Sequence, residues 1–269
     1  DPERLDEWFE ECRETILIEA DYTNEAANMR RFSEHLADRE GTTCPLPFEQ
    51  WTKKTVLTME LMKGRKLDTV LGEMRNGLRK QRILENFVGN YVWMFHELFE
   101  LHSDPHPGNF LLGDDDELIL LDFGCVRSFD PLFSDGILKI IDACWQKDLE
   151  KPPAIYREMR FGVEGTSDDV FDPELLHAYH EIILEPFLYD RTFDFGAWRP
   201  RVEIQKFIRK TPRFLKLVPP AESLMYLRLI GGIKGLLGKV DGRLNVHRMA
   251  LATAERRGLL TGPPKTTLL

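Results

Sequence analysis

Three side chains carry the strongest chemical signal in the sequence. Asp104 is followed by Asn109 five residues on, and Asp122 opens an Asp122-Phe123-Gly124 triplet thirteen residues beyond that. Carboxylate and amide oxygens are hard donors of the kind Mg²⁺ takes. Phosphoryl transfer asks for positioning and charge neutralisation more than for covalent help. Asn109 and Asp122 are therefore the expected Mg²⁺ ligands on nucleotide phosphates, and Asp104 the carboxylate that orients a hydroxyl or water. A blander account makes Asp104 and Asn109 an Asx turn and Asp122 an incidental strand end. The triplet alone would not outweigh it. The ordered combination of a long apolar helix, H-x-D-x-x-x-x-N, a hairpin and then the triplet does. His102 reads as a hydrogen-bonded core residue bracing the loop rather than as a base.

Those residues need elements to hold them. Leu84, Phe87, Val88, Tyr91, Val92, Phe95, Leu98 and Phe99 trace a wide apolar face, which predicts a core helix from about Leu78 to Leu101. Two short apolar runs around GDDDE predict a β-hairpin leading into the triplet. Farther upstream, helical spacing predicts a helix over about residues 3–19, and Asp21 caps a second one that sets Glu25, Asn28 or Met29, and Phe32 along one face before Gly41. TVLTMEL reads as a buried strand ending at Met62-Lys63-Gly64. Beyond Pro131 the pattern is helical, with loops near KPP, EGTSDD and TFDFGAW and a break at Val218-Pro219-Pro220.

Composition bounds the remaining classes. With 269 residues, 42% hydrophobic, the chain can bury a core, which excludes disordered and fibrous classes. A formal charge of −9 argues against nucleic acid as a partner. The charge is uneven: residues 1–190 carry 20 basic and 40 acidic side chains, residues 191–269 carry 16 and 5. In the basic part, Lys206, Arg209, Lys210, Arg213 and Lys216 interleave with Phe207, Ile208, Phe214 and Leu215, a pattern open to an anionic membrane surface or to an ordinary solvated helix, with the latter slightly favoured. No apolar run reaches the roughly 18 to 20 residues that cross a bilayer, and no signal peptide is visible. Four scattered cysteines point to a reduced, intracellular setting. GGIKGLLGK fails as a P-loop, because Ile233 and Val240 stand where Gly and Ser or Thr belong; Gly231, Gly232 and Gly235 read instead as close-packing positions. Asp114 to Glu117 lack the EF-hand pattern and read as a solvated turn.

HSDPHPGNF, LDFGCV and EADYTNEAANMRRF together resemble the UbiB/AarF (ABC1-type) atypical protein-kinase-like family, in the family's order and across most of the chain. The resemblance implies an α+β, mostly helical fold: a kinase-like C-lobe with helix C and part of the N-lobe sheet. Divided so, residues 1–62 are a partial N-lobe, 63–200 the C-lobe with both loops, and 201–269 a basic helical extension. It further implies Glu25 as the helix-C glutamate that pairs with a strand lysine, Glu19 and Asp21 as the E-x-D signature near the nucleotide, and Glu60 to Met62 as the hinge that meets adenine. Mg²⁺ and ATP are the implied cofactors. Quinone or other prenyl-lipid intermediates at a membrane are the implied partners, at the cytoplasmic face in a bacterium or in a mitochondrion or plastid in a eukaryote. The first lysine is Lys53, so no lysine precedes Glu25, and the family's K-x-G-Q segment is absent. With Asp1 in place of Met, this leads us to expect the C-terminal part of a longer protein. Two alternatives stand beside the ATPase or kinase reading: a small-molecule phosphotransferase of the aminoglycoside or choline-kinase type, and a noncatalytic pseudokinase scaffold.

Overall fold

The computed structural model describes residues 21–163 and 165–265 together with Asp6, Phe9, Glu10 and Arg13. Apart from those four positions, the helix expected over residues 3–19 lies outside the described residues, and Glu19 with it. The chain forms two compact units that alternate along the sequence. One comprises Asp1–Tyr91, Glu100–Ser128 and Met225–Gly242, the other Val92–Phe99, Phe129–Leu224 and Arg243–Leu269.

The first unit begins with helix α1 (Tyr22–Leu36), capped as expected by Asp21, whose Oδ1 accepts from the Thr23 N–H at 3.0 Å. A cap of this kind contributes about 1 kcal/mol. Ala26, Met29, Phe32 and Leu36 form its buried face. A four-stranded sheet of order β1-β5-β4-β2 follows, built from β1 (Thr42–Thr43), β2 (Arg65–Lys66), β4 (Phe110–Leu112) and β5 (Leu118–Leu120). β4 and β5 are the expected hairpin, pairing Phe110 with Leu120 and Leu112 with Leu118. Asp116 takes a left-handed φ of 63° in its turn and is held by Arg79 at 2.7 Å, so the acidic tip is an ion-paired turn. A separate antiparallel pair joins β3 (Glu100–His102) to β6 (Val126–Ser128). Helices α2 (Leu67–Glu73), α3 (Leu78–Trp93) and α9 (Ala221–Lys239) complete the elements that enter this unit.

Two expectations here are corrected. TVLTMEL is not a buried strand: it makes only the isolated bridges Pro47 to Met59 and Lys53 to Val56, and Val56 and Leu61 are exposed. Residues 46–48 lie beside it and exchange two backbone bonds, Phe48 N–H to the Thr58 carbonyl at 2.8 Å and Glu60 N–H to the Leu46 carbonyl at 3.0 Å, but the pairing stops at one bridge and does not extend into a ladder. The long helix also stops short of Leu101. α3 ends at Trp93, a π-helical turn spans Met94–Leu98, and Phe99 turns left-handed at φ 54°, which frees Leu101 to pair with Arg127 in the β3–β6 ladder.

The second unit is helical. Its α4 (Pro131–Gln146) is capped by Asp130, with Pro131 in the first turn where a missing N–H costs nothing. α5 (Pro152–Glu158), α6 (Pro173–Ile183), α7 (Glu185–Leu188), α8 (Pro200–Lys210) and α10 (Val246–Arg256) follow. The loop expected near KPP spans residues 147–151, and Pro152 and Pro153 then open α5, again because proline suits a helix start. Within TFDFGAW, Phe193–Asp194 forms β7, paired with β8 (Arg243–Leu244), a strand too short for periodicity to reveal. The break at Val218-Pro219-Pro220 is present. In the basic segment Phe207 is buried and packs on Phe214 and Tyr179, while Lys206 pairs with Glu203 and Arg213 with Asp172, so its aromatic side chains turn inward. Among the described residues, no helix is long and apolar enough to cross a membrane.

Candidate active site

Two strand pairs nest in sequence, β4 with β5 inside β3 with β6. The segment between β3 and β4 carries Asp104 and Asn109, and the segment between β5 and β6 carries Asp122. Both are therefore tied at each end. The Ser103 N–H donates to the Cys125 carbonyl at 2.8 Å, and the Leu121 N–H to the Asn109 carbonyl at 3.0 Å. Backbone pairing, rather than any affinity between the side chains, brings the loops together.

Within the first loop, Asn109 Nδ2 donates to Asp104 Oδ2 at 2.9 Å. This is the local turn of the bland account, yet it leaves the amide oxygen of Asn109 as the atom a cation would take. Pro105 and Pro107 stiffen the intervening backbone, and the His106 side chain accepts from the Gly108 N–H at 3.1 Å. In the second loop, Asp122 Oδ1 accepts from the Gly124 N–H at 2.9 Å. Glu25 reaches in from α1, and its Oε1 accepts from the Phe123 N–H at 3.3 Å. A Cβ on Gly124 would stand 3.3 Å from Asp122 Oδ1 and 3.5 Å from Glu25 Oε2, so both carboxylates converge on that glycine.

That convergence has an electrostatic signature. Burial, and then the neighbouring Asp122 carboxylate, push the Glu25 carboxyl above its usual range. A divalent cation on Asp122 would remove much of that repulsion. The donors at hand, one carboxylate and one amide oxygen, suit Mg²⁺, which is bound through few protein oxygens and keeps water and phosphate for the rest. The residues fit the ion. Among the described residues, no group of three or more His, Cys, Asp and Glu side chains forms an all-protein cage.

His102 is buried between the rings of Phe110 and Phe123, at 5.6 and 5.4 Å. It is the core residue expected, but not the hydrogen-bonded one. Neither ring nitrogen has a partner in hydrogen-bonding geometry, although the Asp122 backbone lies close enough to favour the charged form. Burial dominates and lowers its pKa, which keeps the imidazole neutral.

The remaining candidates lie elsewhere in the unit. Asp21 spends its carboxylate on capping α1, and its bonds to Thr23 lower its pKa. Glu60 Oε2 accepts from the Leu46 N–H at 2.9 Å, beside a half-buried Met62. Among the described residues, Glu25 contacts the Asp122-Phe123-Gly124 loop rather than a lysine. Sequence reasoning missed Arg228, whose Nη2 lies 4.0 Å from Asp104 Oδ1. The signal was a cation interrupting an apolar helix. Its neighbour Gly232 admits Pro105 against α9, as the close-packing reading required, whereas Gly231 and Gly235 face open space and need another account.

An Asp-Asn loop tied to an Asp-Phe-Gly loop, with a helix glutamate bonded to the latter, in an α+β and mostly helical chain, places the fold in the protein-kinase-like class. Residues 1–154 match the ABC1 atypical kinase-like domain, and the chain belongs to that family. Activity of bc1 complex kinase 8, chloroplastic, of Arabidopsis thaliana is 32% identical over 53% of this chain and 19% of its own length. Atypical kinase COQ8B, mitochondrial, of Danio rerio is 27% identical over 91% of this chain and 39% of its own. The chain thus spans less than half of these relatives. In fold it is similar to the Rv3197–erythromycin complex from Mycobacterium tuberculosis, with a TM-score of 0.64 and 23% identity over 87% of this chain and 57% of that one.

Proposed function

We propose that this chain carries the catalytic and metal loops of an Mg-ATP-dependent kinase-like site whose reaction is ATP hydrolysis or phosphoryl transfer. The observation that supports it most is the convergence of Glu25 and Asp122 on Gly124, beside the Asp104–Asn109 pair on a loop tied to theirs by backbone bonds. Asn109 and Asp122 would hold Mg²⁺, which when bound neutralises phosphate charge. Asp104 orients the attacking water or hydroxyl, kept in place by Asn109 and by the Arg228 guanidinium. Glu25 fixes the Phe123 peptide and, in a longer chain, orders a lysine. Glu19 and Asp21 border the nucleotide, and the Glu60–Met62 backbone meets adenine. A role in quinone or other prenyl-lipid metabolism at a membrane is proposed from the family resemblance. Arg201, Arg209, Lys210 and Lys216, all exposed, are the cations available to anionic headgroups.

Titration of the parent and Asp122→Asn with a nonhydrolysable ATP analogue, with and without Mg²⁺, tests the site. The parent should tighten its binding with Mg²⁺ and the variant should not; equal Mg²⁺ responses refute the assignment. Product analysis then separates ADP with free phosphate from a phosphorylated acceptor.

A further inference from the structure

We infer that Asn28 and Arg31 are positioning residues that hold the metal loop in a single orientation, an inference that rests on the Mg²⁺ reading of Asp122. Phe123, the residue after that aspartate, is caught three ways by one face of α1. Glu25 accepts from its N–H at 3.3 Å, Asn28 Nδ2 donates to its carbonyl at 3.0 Å, and Phe32 packs against its ring at 5.3 Å. Residues three and four apart share a helix face, so positions 25, 28 and 32 arrive at the same place. The peptide planes on both sides of Phe123 are thereby pinned, and with them the backbone that carries the Asp122 carboxylate.

An asparagine amide is ambiguous by itself, since either end can meet the loop. Arg31 removes the ambiguity. Its Nη2 donates to Asn28 Oδ1 at 3.0 Å, which leaves Nδ2 as the end that faces the Phe123 carbonyl. Arg31 Nε in turn donates to Glu100 Oε2 at 2.8 Å, and Glu100 opens β3, the strand that runs into the catalytic loop. A continuous chain of donors and acceptors therefore links β3, α1 and the metal loop. Asn28 and Arg31 touch no reacting group; they act through Phe123.

Two measurements on the full chain test this: Mn²⁺ binding, read as free Mn²⁺ by electron paramagnetic resonance, and amide hydrogen exchange. Asn28→Asp keeps the side chain's shape but replaces the donor to the carbonyl with an acceptor. It should weaken Mn²⁺ binding about tenfold, the typical effect of one lost hydrogen bond, and speed exchange at residues 123–125 while leaving the rest of α1 unchanged. Arg31→Lys keeps a charge for Glu100 but loses the fork that also reaches Asn28, and should show the same pattern at about threefold. If Asn28→Asp fails to fold, Arg31→Lys decides. Parental affinity and parental exchange at 123–125 in the variants, with Asp122→Asn losing Mn²⁺, overturn the clamp alone. No Mn²⁺ binding by the parent, or equal binding by Asp122→Asn, overturns the metal reading beneath it.

Discussion

Alanine at three of the four glycines of α9, Gly231, Gly232 and Gly235, should produce effects of opposite sign. A Cβ at Gly231 or Gly235 meets nothing within 4 Å, whereas one at Gly232 overlaps Pro105 Cγ and lies 3.1 Å from Pro105 Cβ. Glycine to alanine inside a helix gains about 0.8 to 1 kcal/mol from propensity, and this gain is common to all three sites. Overpacking costs about 1 to 3 kcal/mol and falls on Gly232→Ala alone. The difference between Gly232→Ala and Gly231→Ala therefore isolates the steric effect, at about 1 to 3 kcal/mol. Urea denaturation reads it as a shift in midpoint at constant slope. Pro105 adjoins Asp104, so relief of the clash also moves the carboxylate proposed to orient the attacking group. A displacement of about 1 Å costs on the order of a hundredfold in rate, so nucleotide turnover should fall in Gly232→Ala and stay near parental in the other two. Equal midpoints and equal turnover for Gly231→Ala and Gly232→Ala would refute the packing argument and the link from α9 to Asp104.

Further predictions concern charge. Because the Glu25 carboxyl titrates above its usual range in the fold, the folded state holds a proton that the unfolded chain has released. Stability should then fall as pH rises from the ordinary carboxyl range through the raised value. Glu25→Gln should flatten that slope in thermal melts across pH, and an unaltered slope counts against the pair. In the second unit, burial lowers His96 and His180 from 6.5 to about 3. Their contribution is complete above 6.5 and drains away as pH falls toward 3. At pH 5 each should have lost about 2 kcal/mol, visible as a lower urea midpoint than at pH 7; identical midpoints would sink this account. Asp21→Ala should cost about 1 kcal/mol as a lost cap, measured by the same denaturation.

The parts of the fold that were legible in the sequence are those fixed by local chemistry. Asp21 caps a helix because a short side-chain oxygen reaches the next N–H groups, and GDDDE turns a hairpin because its flanks are apolar and its tip is not. The loop carrying Asp104 and Asn109 was legible for the same reason, being six residues of continuous chain. What the sequence did not reveal depends on distant partners. TVLTMEL has strand composition but no ladder. The apolar face of α3 runs past its end, because Leu101 finds Arg127 across a pair no periodicity announces. Gly231 and Gly232 are adjacent and identical, and only Pro105, over a hundred residues earlier, distinguishes them. Asn28 and Arg31 were visible as part of a motif, yet their use required knowing that α1 lies against Phe123.

The nested strand pairs also decide where this chain can be lengthened. Residues 103–109 and 121–125 are anchored at both ends, so an extra residue in either would have to break a backbone bond or unseat a functional side chain. The hairpin tip is more tolerant: an insertion there opens only the 3.3 Å turn bond from the Asp116 N–H to the Gly113 carbonyl, while the Gly113 N–H bond to the Glu117 carbonyl at 2.9 Å closes the base of the turn. Asp114 and Asp115 are exposed, and the ladder from Phe110 to Leu120 closes beneath them. A fluorophore-binding peptide or affinity tag spliced between those two aspartates would place a reporter a few residues from Asn109 in sequence without altering the geometry that holds it.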